Sequence, residues 1–161
     1  MKINFGMWRQ ALSGLVKMDS KAEWDGLDVI SKWLIATRSG VTIVTLYSCA
    51  IGGLLAIRHG YFEGNWGLSI LAWLIVTLGL FIAHGTNNFL NDYTDFSRGI
   101  DSDNYFRTQY GVHPLVQEFW TKQQQLRWFT ISGTLAFLCG IFALFYTGFS
   151  LNIIVLFGIG A

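Results

Sequence analysis

Residues 64–101 read GNWGLSILAWLIVTLGLFIAHGTNNFLNDYTDFSRGID, and this stretch decides the fold. Its first part, 64–91, carries no charged side chain and exceeds the roughly 20 residues a helix needs to cross a bilayer. Its second part opens abruptly into Asp92, Asp95 and Asp101. A membrane span that runs directly into clustered carboxylates needs a physical reason for them.

Two further runs, 39–57 and 128–161, are also free of charge. Across the 161 residues, 52% are apolar and 13% charged, against roughly 25% charged in soluble domains, so the chain reads as an integral, multi-pass, all-α membrane protein. The third run contains Thr147-Gly148, a natural break, and is expected to hold two helices. The second of these would be cut short at Ala161, so the chain is expected to be an N-terminal fragment, truncated in about its fourth transmembrane helix. Residues 1–38 form a lead-in and 39–161 the membrane domain.

Basic residues concentrate in cytoplasmic loops. Lys2, Arg9, Lys17, Lys21, Lys32 and Arg38 precede the first span, Arg98, Arg107, Lys122 and Arg127 follow the second, and Arg58 alone lies in the opposite loop. The N-terminus and the Asp-rich loop are therefore expected on the cytoplasmic side, in a bacterial inner membrane. Cys49 and Cys139 sit in apolar runs without metal or redox spacing. No basic aromatic face supports nucleic-acid binding.

In the lead-in, Met7, Trp8, Leu12, Leu15 and Val16 follow a helical period over 7–17 and predict an amphipathic helix lying on the membrane. Ser20 and Glu23 form an S-x-x-E capping box that opens a second helix, with Trp24, Leu27, Ile30, Trp33 and Leu34 as its apolar face. In the third span Ser132, Ala136 and Gly140 align small residues for close helix approach.

His84, Asn88, Asn91 and Asp95 recur at steps of four, three and four, one polar stripe on a helix of about 3.6 residues per turn. Polar groups at membrane depth face a bundle interior or a wet cavity. For His84 alone, interhelical hydrogen bonding suffices. For Asn91 and Asp95 it does not, because Asp92 and Asp101 crowd further carboxylate into the same place, where like charges repel. A divalent cation resolves the conflict. Oxygen donors only, from Asn91, Asp92, Asp95 and Asp101, suit Mg²⁺ rather than zinc. Arg98 and Arg107 could grip phosphate oxygens.

Asn91, Asp92, Asp95 and Asp101 resemble the first Asp-rich motif of the UbiA-type membrane prenyltransferases, and Asp95-Phe96-Ser97-Arg98-Gly99-Ile100-Asp101 is similar to the branch that prenylates 1,4-dihydroxy-2-naphthoate. Arg38, just before the first span, resembles the Arg that opens many members, with Ser39 in place of the usual proline. The resemblance covers about 36–161. It implies a UbiA-type helical bundle, with a second Asp motif beyond this chain. It also implies Mg²⁺-dependent transfer of a prenyl group from an isoprenoid diphosphate to an aromatic acceptor, as in menaquinone-type quinone biosynthesis, by an enzyme of which this fragment alone would be inactive. In that reading Asp92 and Asp95 are catalytic, Asn91, Asp92, Asp95 and Asp101 bind metal, and Asn88, Arg98, Arg107 and Arg38 bind substrate. The alternative is a non-enzymatic cation-binding membrane protein, a transporter or channel subunit.

Overall fold

The computed structural model describes residues 3–100 and 111–160, and among them every regular element is a helix. In chain order these are α1 (Phe5–Ser13), α2 (Lys21–Gly26), α3 (Val29–Ala36), α4 (Ser39–Arg58), α5 (Trp66–Ser97), α6 (Lys122–Tyr146) and α7 (Leu151–Gly160). Three of them, α4, α5 and α6, are long and apolar enough to cross a membrane. Their outward side chains, among them Val44, Ile51, Leu54, Leu74, Leu78 and Leu138, are large and apolar, as lipid contact requires.

The break expected in the last apolar run falls where predicted. Gly148 (φ 61°) and Phe149 (φ 58°) take left-handed backbone between α6 and α7. Helix α6 starts earlier than its apolar run does, because Thr121 and Gln124 form a reciprocal cap, Gln124 N donating to Thr121 Oγ1 (3.2 Å) and Thr121 N to Gln124 Oε1 (2.8 Å).

The chain divides into two compact units, Met1–Ile43 with Gly85–Ile131, and Val44–His84 with Ser132–Ala161. The first holds most of the buried apolar side chains. Trp24 is almost wholly enclosed, stacked on Phe119 (5.7 Å between ring centroids) and edge-on to Trp120 (5.2 Å), which itself stacks on Trp128 (6.0 Å). Lys21 Nζ donates to the carbonyls of Glu118 and Phe119, and Val112 N donates to Val16 O, which ties the lead-in to residues 111–121.

The lead-in departs from its expected form in two ways. Its helix over 7–17 is α1, which begins at Phe5 because the Asn4 side chain caps Met7 N, and ends before Gly14. The helix opened by Ser20 stops at Gly26, and Asp28 starts a separate one by accepting from Ser31 N. The two helices therefore present different faces. Trp24, Leu27 and Leu34 are buried in protein, whereas Ile30 points outward.

In the second unit, contact is made through small residues. A Cβ on Gly53 would lie 2.3 Å from Trp73 Cε2, one on Gly79 2.5 Å from Cys139 Cβ, and one on Gly140 2.1 Å from Phe157 Cε2. Gly140, the last of the small-residue series in the third span, thus seats the Phe157 ring. Trp73 Nε1 donates to Cys49 O at 2.9 Å.

Candidate functional site at the end of α5

Helix α5 has 32 residues, about 48 Å at 1.5 Å per residue, well beyond a hydrocarbon core of roughly 30 Å. The excess is polar at one end only, where Asn87, Asn88, Asn91, Asp92 and Asp95 cluster. The carboxylates need not enter hydrocarbon.

At this end the inward face is made by Gly85, Asn88, Phe89 and Asp92, four positions at helical spacing, all buried. The polar stripe read from the sequence is therefore rotated from the buried face. Asn88 and Asp92 point inward, Asp95 is half-buried, and Asn91 is exposed. His84 is apart from them in role: its Nδ1 shares a hydrogen bond of 2.8 Å with Thr45 Oγ1, joining α5 to α4.

Asp92 is 3% exposed, and Arg38 Nη2 donates to its Oδ1 at 3.0 Å. One turn earlier on α5, Asn88 Nδ2 donates to Thr37 O at 2.7 Å. The two side chains thus grip successive residues of the joint between α3 and α4. That joint is strained, since Arg38 adopts φ 55°, a left-handed conformation that costs a residue with a Cβ about 1–2 kcal/mol. Thr37 Oγ1 and Ser39 Oγ share a further hydrogen bond at 2.9 Å, both side chains being fully buried. Arg38 Nε is buried with no hydrogen-bond partner among the described residues.

The sequence named Arg38 for substrate and Asp92 for metal, and the structure pairs them with each other. Asn88, also assigned to substrate, spends its amide on the backbone. Arg98 is exposed just past the end of α5, and Lys122 Nζ lies 5.2 Å over the Phe96 ring, which adds a cation beside the same helix end. Asp101 and Arg107 lie outside the described residues. Among the described residues no three His, Cys, Asp or Glu side chains converge into a metal cage. A cavity of about 10 Å³ bordered by Leu15, Leu34, Arg38 and Ser39 is too small for an organic substrate.

Sequence reasoning missed Thr37 and Gln125. Gln125 is 1% exposed and donates from Nε2 to Phe89 O at 3.2 Å, fixing the start of α6 against this end of α5. The T-x-x-Q spacing of Thr121 and Gln124 announced that helix start and could have found it.

No protein-family model, curated protein or solved structure matches the chain.

Proposed function

We propose that the chain carries the first Asp-rich motif of a UbiA-type membrane prenyltransferase. Its reaction would move a prenyl group from an isoprenoid diphosphate to an aromatic acceptor, 1,4-dihydroxy-2-naphthoate being the favoured candidate. The observation that carries this reading is the meeting of Arg38 and Asp92 at the polar end of a membrane-length helix, one turn or less from Asn91 and Asp95. A metal–diphosphate site needs cationic and anionic groups side by side, and this helix end supplies both.

Mg²⁺ fits the donors present, which are oxygen only. Asn91 and Asp95, the outward members, would hold it, joined by Asp101, and an ion held by few carboxylates completes its shell with water and phosphate. When bound, Mg²⁺ neutralises charge building on the diphosphate leaving group. Arg38 keeps Asp92 in position, and the diphosphate oxygens would be gripped by Arg98, which is exposed, and by Arg107. The allylic C–O bond breaks with its electron pair leaving on diphosphate, the ring carbon of the acceptor forms the new C–C bond, and the ring then loses its proton.

Membranes carrying the complete natural reading frame, given radiolabelled farnesyl diphosphate, 1,4-dihydroxy-2-naphthoate and Mg²⁺, should yield a prenylated product that Asp95→Asn abolishes. Absence of product with any aromatic acceptor, together with cation binding that is indifferent to diphosphate, would overturn the proposal in favour of a cation-binding transporter or channel subunit.

A further inference from the structure

Of the apolar residues expected to lay the lead-in on the membrane, Val16, Trp24, Leu27 and Leu34 are buried inside the protein. Ile30 (47% exposed) of that expected set faces outward, together with three residues outside it, Ile3 (63%), Phe5 (69%) and Val29 (50%). These four come from opposite ends of the lead-in, and Asp28 brings them together. Its carboxylate accepts from Asn4 N at 3.2 Å and from Trp8 Nε1 at 3.0 Å, so the residues flanking Asn4 sit beside those following Asp28.

The position of α3 argues for what covers them. Trp33, one turn beyond Val29 and Ile30, packs on Gly85, where an added Cβ would stand 2.9 Å from its ring. Counted from Trp66 along α5, Gly85 lies about 30 Å on, the thickness of the hydrocarbon core, so a bilayer with one boundary at Trp66 would have its other boundary at Trp33, where tryptophan side chains collect. Helix α4, itself of spanning length, begins at Ser39 just after α3 ends. Val29 and Ile30 would then project at the level where acyl chains meet headgroups. Arg9 is exposed on α1 and Lys32 half-exposed on α3, and cations on such a face favour anionic headgroups.

We infer that Ile3, Phe5, Val29 and Ile30 form an anchor seated in the lipid headgroup–acyl boundary, holding the lead-in to the membrane surface. The anchor is independent of any catalytic role for the Asp motif.

The test places a nitroxide on Phe5→Cys, Val29→Cys or Ile30→Cys, with Gln10→Cys as a polar exposed reference, in the full chain with Cys49 and Cys139 changed to Ser. Each variant is reconstituted at one chain per nanodisc of phosphatidylcholine with a minor fraction of phosphatidylglycerol. All three labelled positions are surface sites, so the core stays intact. The ratio of collisions with oxygen to collisions with a water-soluble nickel chelate should be several-fold higher at 5, 29 and 30 than at 10. Equal ratios would place the patch in water and overturn the inference. Shielding from both relaxants would also overturn it, by assigning the patch to a protein partner, and the same shielding seen only at several chains per disc would assign it to a second copy.

Discussion

The two compact units solve the same packing problem with opposite means. In Met1–Ile43 with Gly85–Ile131, aromatic and branched side chains are enclosed, and charge is tied down by hydrogen bonds. In Val44–His84 with Ser132–Ala161, few large side chains are buried, and helices meet where glycine leaves room for a neighbour. The difference is the one that two solvents would produce. Water drives apolar groups into a core, whereas lipid is as apolar as leucine, so only close contact and hydrogen bonding hold helices together.

Trp24→Ala should strike hardest, because it removes a buried indole from the ring cluster. A loss of about 3–5 kcal/mol is expected in detergent unfolding, with the membrane helices retained by circular dichroism. Equal loss of all helix would break the distinction between the units.

Next comes Arg38→Ala. It leaves the buried Asp92 carboxylate without its guanidinium, at a cost between the ~0.2–1 kcal/mol of an exposed pair and the ~3–5 kcal/mol of a buried one. Arg38→Gly should be milder than Arg38→Ala by about 1–2 kcal/mol, the left-handed strain it relieves.

Gly79→Val should cost about 1–3 kcal/mol by overpacking against Cys139. Gly52→Val, in the same unit but with no neighbouring atom near its added Cβ, should be close to neutral in the same melt.

Acid should act on the first unit through Asp28. Burial raises a carboxyl's pKa, but hydrogen bonds from the Ser31 hydroxyl and amide, the Trp8 indole and the Asn4 amide outweigh it and hold Asp28 at about 2 against an ordinary 3.8. With the folded value depressed, the stabilisation is complete above about pH 4 and disappears as pH falls toward 2. Asp28→Asn should flatten the melting temperature across that interval.

The smallest loss among the contact-breaking changes belongs to Thr45→Val, which removes the His84 partner and should cost about 0.6 kcal/mol, the mean for an interhelical hydrogen bond in a membrane. A much larger loss would mean that the second unit, too, depends on a polar core.

The spans were legible because charge-free runs of sufficient length admit few other structures, and the turn at Gly148 was legible because glycine accepts left-handed backbone. The lead-in was legible only in part. Its period located α1, but Leu27-Asp28 broke the next helix, and a new cap by Asp there competes with helix continuation in a way that periodicity does not register. The sequence placed Asp92 correctly at a helix end. It could not place Arg38 against it, since the pair is 54 residues apart and depends on a strained joint that no local pattern announces. Likewise the rotation that buries Asp92 and exposes Asn91 is set by what packs on α5, and that information lies in Trp33 and Thr37 rather than in the stripe itself.

The Trp73 indole, seated over Gly53 with its N–H on Cys49 O, has a spectroscopic consequence. Its N–H proton is tied to a helix carbonyl within a span-length apolar helix pair, so in an amide-type exchange experiment it should be a slow indole resonance. It would thereby act as a built-in gauge of the α4–α5 separation, reading out any loosening of the membrane helices without an added label.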